Sequence, residues 1–229
     1  MPVLKHRRVL SGMTVKEAMQ QHFFVQPVTA TLKASIRGII KHKANAVLVS
    51  NENDEPRGVV SKTDIMGAFY AGLPLDTNLG DIMAGPVQTC KDTDRIETVV
   101  EQMKSLGIHQ IYVSSDNDSR IYGLLEYSDI VGLLYRYCRT CKKSGRYADK
   151  IADESLPRLI VRDVMTQNAA ACLYGQTLDE VMEILSQKKM GAVLVTDESG
   201  CDLGVISKTN LVLAFAHGIG IDEKAERIM

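Results

Sequence analysis

The sequence predicts an α+β fold of three tandem βαββα units, and three observations predict it. A phrase recurs as GVVSKTDI from Gly58, GLLEYSDI from Gly123 and GVISKTNL from Gly204. A shorter marker recurs upstream, as VKEAM ending at Met19, LGDIM ending at Met83 and VRDVM ending at Met165. The two advance together. Gly58 to Gly123 is 65 residues and Met19 to Met83 is 64, whereas Gly123 to Gly204 is 81 and Met83 to Met165 is 82. Matching spacings of independent markers define an internal repeat with an insertion before its third copy. Third, each copy carries a one-sided apolar helix pattern between its marker and its phrase.

That stripe is Leu32, Ile36, Ile39 and Ile40 in the first copy, and Ile96, Val99, Val100 and Met103 in the second. In the third it is Leu178, Val181, Met182 and Leu185. The last two sets have the spacing i, i+3, i+4, i+7, that of a helix lying against a core. Thr177 and Glu180 form a capping-box pattern at the start of the third helix. After each helix comes a β-branched run, Ala46-Val47-Leu48-Val49, Ile111-Tyr112-Val113 or Ala192-Val193-Leu194-Val195. A polar turn and a second strand follow, and a second helix begins near Asp64, Asp129 or Asn210.

A unit of this size exposes an apolar sheet face that it cannot bury alone. The copies divide as 1–72, 73–135 and 159–229, with a polar, basic linker at 136–158. The first two follow one another directly and are expected to pair sheet to sheet. The third is then left over, which predicts a homodimer through the third copy.

Composition bounds the function. The chain has 229 residues, 45% of them hydrophobic and 24% charged, which is ordinary for a globular protein. A formal net charge of -1 gives no bulk attraction to nucleic acid or to anionic membranes. Aromatics are 5% and Trp is absent, against a stacking platform for single strands. No apolar run has the length of a signal peptide core or a membrane span, and five cysteines read as reduced thiols, so a cytoplasmic location is expected. The sequence contains no GxSxG, P-loop, HExxH or GxGxxG pattern, so no catalytic residue is expected and the chain is not read as an enzyme.

Together, the h-x-x-x-M marker, the apolar helix, the paired strands and the closing G-h-h-[ST]-x-x-D phrase resemble the CBS domain, named after cystathionine beta-synthase. The likeness covers nearly the whole chain. The stretch GVVSKTDIMGAFYAGLPLDTNLGDIM also resembles the CBS portion of bacterial proteins with cyclic-nucleotide-binding and nucleotidyltransferase domains. The resemblance implies tandem pairs, or Bateman modules, that bind adenosine-containing ligands such as AMP, ADP, ATP or S-adenosylmethionine, with no other cofactor.

It also implies site residues. The Asp closing the phrase would hold ribose hydroxyls, and the Ser or Thr three residues earlier would reach a phosphate. The first copy matches with Gly58, Ser61 and Asp64, and Lys62 and Thr63 lie nearby. The second keeps Gly123, Ser128 and Asp129 but has Glu126 where the hydroxyl belongs, and a carboxylate there repels phosphate. The third has Ser207 but Asn210, a ribose partner without charge assistance. Cations before the first long strand of a neighbouring copy would complete the site. Candidates are His109 with Gln110, then Lys41, His42 and Lys43, and Lys188 and Lys189. Each has a structural use as well: Asp, Asn and Ser cap helix N-termini, and cations complement helix C-termini.

The reading is a regulatory sensor that binds an adenosyl ligand between its first two copies and passes its state to a separate effector protein. The alternative is a dimerisation or interaction scaffold with vestigial pockets. A third possibility centres on Cys138 and Cys141, whose CxxC spacing suits half a zinc site or a redox pair. Cys90, Cys172 and Cys201 have no ligand spacing and read as packing residues.

Overall fold

The structure is a computed structural model, and it describes residues 10, 12–115, 120–143, 160–165, 167 and 169–229. All three copies form the expected βαββα unit. The first runs β1 (Val25–Pro27), α1 (Leu32–His42), β2 (Ala46–Ser50), β3 (Pro56–Ser61) and α2 (Lys62–Tyr70). The second runs β4 (Thr89–Lys91), α3 (Ile96–Leu106), β5 (Gln110–Ser114), β6 (Ile121–Glu126) and α4 (Tyr127–Lys143). A short α5 (Val161–Val164) precedes the third, β7 (Ala171–Leu173), α6 (Leu178–Gln187), β8 (Ala192–Thr196), β9 (Asp202–Ser207) and α7 (Lys208–Ala216). Helix α4 runs on past residue 135, into the segment read as linker.

Each copy has a three-stranded sheet in the order first, second, third strand. The first and second strands pair parallel and the second and third antiparallel, with a register shift after Val49, Val113 and Val195. The same bulge in the same place three times is the repeat written in backbone. The predicted stripes face the core: Leu32, Ile36, Ile39, Ile96, Val99, Met103, Leu178, Val181, Met182 and Leu185 are at most 2% exposed, and Ile40 and Val100 are half-buried against it. The Glu180 carboxylate accepts from the Thr177 amide at 2.9 Å, as its capping box predicts. One stripe position breaks the rule. Ser35 stands where the other copies have Val99 and Val181, is fully buried, and its hydroxyl has no hydrogen-bond partner among the described residues.

The chain divides into two compact units. One unit is the second copy with the N-terminal segment, residues 1–23 and 87–163; the other joins the first and third copies, residues 24–86 and 164–229. A single core runs through the first and third copies, from Leu32, Ile65 and Phe69 to Leu178, Leu211 and Phe215. The second copy has its own core with Val15 and Ala18. The shared core is built helix against helix between copies one and three. The third copy therefore packs its helix side on the first copy within the chain. The physical cause is the apolar face of α2 and α7: Ile65, Met66, Phe69, Leu211, Val212 and Phe215 are buried where the two helices meet. Phe69 and Phe215 stack with ring centroids 4.9 Å apart.

The markers do not stay with the copies they open. Val15–Glu17 is a turn of 3-10 helix on the second copy, where the Val15 amide donates to the Asp94 carbonyl at 2.9 Å. Leu79–Asp81 lies on the first copy, with the Leu79 amide on the Ala30 carbonyl at 2.8 Å. A fourth marker closes the third copy in the same way: the Ala225 amide donates to the Gln176 carbonyl at 2.8 Å. Its sequence, AERIM ending at Met229, stands the same distance after Lys208 as LGDIM ends after Lys62. Val15, Leu79 and Ala225 are fully buried, whereas Val161, the equivalent residue of VRDVM, is 77% exposed.

Two stability measurements follow from the repeat. Ser35→Ala is expected to raise the unfolding free energy by about 1 kcal/mol, because it removes a buried unpaired hydroxyl; a loss of stability in denaturant titration would show that the hydroxyl is bonded. Lys43 and Lys189 end α1 and α6 with φ of 53° and 51°, at the position where Gly107 ends α3. Lys43→Gly is expected to stabilise by about 1 kcal/mol by relieving the left-handed strain, read by the shift in the denaturation midpoint; no shift would mean the lysine stem offsets that strain.

Candidate functional site

The three phrases end at the N-termini of α2, α4 and α7. In the first copy, Ser61 is the N-cap of α2. Its hydroxyl accepts from the amides of Thr63 at 3.2 Å and Asp64 at 3.4 Å. Asp64 Oδ2 accepts in return from the Ser61 amide and hydroxyl, both at 2.7 Å. This capping box is the structural use of the two residues, and it also sets a carboxylate and two hydroxyls, those of Ser61 and Thr63, on one turn.

The third copy repeats the box. Asn210 Oδ1 accepts from the Ser207 amide at 3.0 Å, while its Nδ2 donates to the Ile228 carbonyl at 3.2 Å. That second bond needs an amide donor, which aspartate lacks, and it ties the fourth marker to the helix start. In the second copy, Asp129 Oδ2 accepts from the Glu126 amide at 2.8 Å and from Gln20 Nε2 at 3.3 Å. The Ser128 hydroxyl donates to Glu126 Oε2 at 3.2 Å.

The phrase glycines have close neighbours. A Cβ on Gly58 would lie 2.8 Å from the Ala84 carbonyl oxygen and 2.9 Å from Met83 Sδ, and one on Gly123 would lie 2.8 Å from Met19 Sδ. At Gly204 the neighbour is Met229, at 3.5 Å. What comes close to each glycine is the methionine of a docked marker, which accounts for the linked occurrence of the two motifs in sequence.

Gly58, Ser61, Thr63, Asp64, Ser207 and Asn210 thus fall in the unit of copies one and three, and His109, Gln110, Gly123, Ser128 and Asp129 in the unit of copy two. His109 packs edge-on to Tyr127 at 6.0 Å, and Gln110 Nε2 donates to the Tyr112 hydroxyl at 3.2 Å. Burial raises the Tyr112 phenol and the Glu126 charge adds to it, with the Gln110 bond opposing. Within the first unit, sequence reading missed Lys208. Its Nζ donates to Thr63 Oγ1 at 2.9 Å, so a cation of the third copy reaches the phrase of the first. Desolvation lowers the Lys208 pKa, opposed by the charge of Asp64. The only hint in sequence was the shared SKT of the two phrases, which does not say which copies meet.

Other candidates place as follows. An apolar groove of about 460 Å³ lies between the C-terminal ends of α2 and α7, lined by Phe69, Pro74, Leu75, Phe215, Ile219 and Ile221, and holds none of the expected ligand groups. Cys90 and Cys172 are buried, and burial, helped by Asp94 and Asp92, pushes the Cys90 thiol up to about 12. Cys201 is exposed rather than packed. Cys138 and Cys141 lie on α4, with side chains outside the described residues. Among the described residues no three His, Cys, Asp or Glu side chains cluster as metal ligands, and no helix is long and apolar enough to cross a membrane.

Comparison with known proteins places the chain. The oligopeptide transport ATP-binding protein OppD of Lactococcus lactis subsp. cremoris is 26% identical over 201 residues, which are 86% of this chain and 56% of that protein. The chain thus spans little more than half the length of that curated relative. Protein MJ1225 of Methanocaldococcus jannaschii is 19% identical over 202 residues, 88% of this chain and 70% of that protein. Its crystal structure, described as that of an archaeal homolog of g-AMPK, superposes with a TM-score of 0.73 at 18% identity and covers 95% of this chain and 82% of that one. At that identity the likeness shows the fold. The CBS domain protein PAE2072 of Pyrobaculum aerophilum, solved in complex with AMP, is 25% identical over 51% of this chain and 89% of that one, with a TM-score of 0.48. The CBS domain family matches residues 15–71, 79–136 and 161–217, which are the three copies defined by spacing and by backbone, and the chain belongs to that family.

Proposed function

We propose that the chain is a regulatory module that binds an adenosine-containing ligand at the Ser61–Asp64 phrase and passes its state to a separate effector protein. One observation carries the reading: among the three phrases, the first alone combines an N-cap hydroxyl, a carboxylate and a second hydroxyl, and a lysine from another copy stands at its edge. Asp64 suits a ribose, since a carboxylate accepts from two vicinal hydroxyls. The hydroxyls and the ammonium suit a phosphate at a helix start. Membership of the CBS family supports an adenosyl ligand, and no part of the chain is assigned a catalytic step. Regulation would work by population shift, with the ligand stabilising one arrangement by its differential affinity.

A scaffold with vestigial pockets is the second reading, favoured by the capping boxes in which Asp64 and Asn210 are already engaged. Thermal unfolding with adenosine, AMP, ADP, ATP and S-adenosylmethionine decides between them. A ligand at a hundred times its dissociation constant stabilises by about 2.7 kcal/mol, several degrees in midpoint. The sensor reading expects a shift with an adenosyl ligand that Asp64→Ala abolishes. If Asp64 only caps, Asp64→Ala lowers stability by about 1 kcal/mol and no ligand shifts the midpoint.

We also infer a homodimer through the third copy. Its sheet leaves Leu173, Leu203 and Val205 at 44%, 47% and 50% exposure, whereas Val59, the counterpart of Val205, is half-buried, and Leu48 is buried where the third copy has a half-buried Leu194. Sedimentation of wild type and Val205→Asp at several concentrations tests it: a dimer that Val205→Asp returns to monomer is expected, and a wild-type monomer throughout would refute it.

A further inference from the structure

The packing of the first copy on the third brings equivalent residues face to face. Phe69 meets Phe215 at the C-terminal ends of α2 and α7, and at the N-terminal ends Lys208 Nζ meets Thr63 Oγ1 at 2.9 Å. The two helices therefore run parallel, with their N-termini side by side. Each begins with a lysine, Lys62 or Lys208, directly after its cap serine. A cation at a helix N-terminus opposes the macrodipole. Two such lysines beside two parallel N-termini make a focus of positive charge. Only α2 has a carboxylate in its first turn, Asp64; α7 has none, because Asn210 stands in that place.

Lys208 is also half-buried, and desolvation works against its charge. Its nearest hydrogen-bond partner is a neutral hydroxyl, which leaves the ammonium with further donors to give. The Asp64 carboxylate, on the same turn as that hydroxyl, favours the charged lysine in part. A bound anion would reverse the balance, turning the repulsive cation into the strongest contact in reach.

We propose that Lys208, carried in from the third copy, is the charge-selecting residue of the ligand site at Ser61–Asp64, and that it makes the site prefer a phosphorylated adenosyl ligand to an uncharged or cationic one. The inference rests on the adenosyl reading of that site. Thr63 is the hinge of the arrangement, because its hydroxyl holds the ammonium beside the Ser61 hydroxyl. A phosphate that reaches Ser61 lies within the sweep of the lysine side chain. The pairing of copies one and three thereby becomes a condition for charge selection: a first copy separated from the third keeps Ser61, Thr63 and Asp64 but loses the cation.

Calorimetric titration of the full chain with adenosine, AMP and S-adenosylmethionine tests this, using wild type, Lys208→Gln and Lys208→Arg. Wild type is expected to bind AMP about 10- to 100-fold more tightly than adenosine, the range of one charged hydrogen bond. Lys208→Gln should lose that advantage while its adenosine affinity stays unchanged, and Lys208→Arg should keep most of it. Unfolding midpoints of the variants serve as the folding control. Equal wild-type affinities for AMP and adenosine, or an equal loss of both in Lys208→Gln, would overturn the role of Lys208 and leave the adenosyl site standing. Wild type that binds none of the three would overturn the site itself, and Lys208 with it.

Discussion

The parallel contact of α2 with α7 is the constraint on which the rest of the first-and-third-copy unit depends. A βαββα unit has two apolar surfaces, the helix side and the outer sheet face, and is too small to bury both by itself. Here the helix sides of copies one and three bury one another, with Ile65, Met66 and Phe69 against Leu211, Val212 and Phe215. Because the copies descend from the same pattern, like residues meet. That places two aromatic rings in a stack at one end and two lysine-bearing helix starts at the other. Tyr70 adds a polar tie across the same seam, donating to the Glu183 carboxylate at 2.8 Å, which raises its phenol pKa.

The markers supply a second kind of connection. Each docked marker contributes one buried apolar residue and a methionine that lies over the phrase glycine of the copy it covers. A Cβ at Gly58 or Gly123 would intrude on that methionine, so the glycine and the Met are two halves of one contact. This explains why the two motifs keep step along the chain. The N-terminal marker covers the second copy and the second marker covers the first, so each of these two copies is finished by chain that opens the other.

At the phrases, the candidate ligand groups are also helix caps. Ser61 and Asp64 cap α2, and Ser207 and Asn210 cap α7 with the same geometry. The chemical difference is one group. Asn210 has a donor for the Ile228 carbonyl, which fastens the last marker, whereas Asp64 keeps a charge. Copy three thus gives its ligand-type residue to structure, and copy one retains a carboxylate suited to a ribose. Glu126 in copy two is itself drawn into the local bonding of Ser128 and Asp129.

The sequence by itself determined the units. Helix stripes such as Leu178, Val181, Met182 and Leu185, the capping box at Thr177 and the paired strands all follow from contacts within a few residues, and such contacts are legible in spacing. It also determined the candidate residues at Ser61 and Asp64, since their geometry is a local turn. The partner of each copy was decided only in three dimensions. Three copies with nearly interchangeable apolar faces satisfy local rules in any pairing, and the choice of copy one with copy three rests on the summed fit of α2 and α7. For the same reason Lys208 was invisible as a neighbour of Thr63, 145 residues away in the chain. AERIM passed as a plain tail, because a marker with Ala225 at its buried position shows its nature only when it is seen docked on the third copy.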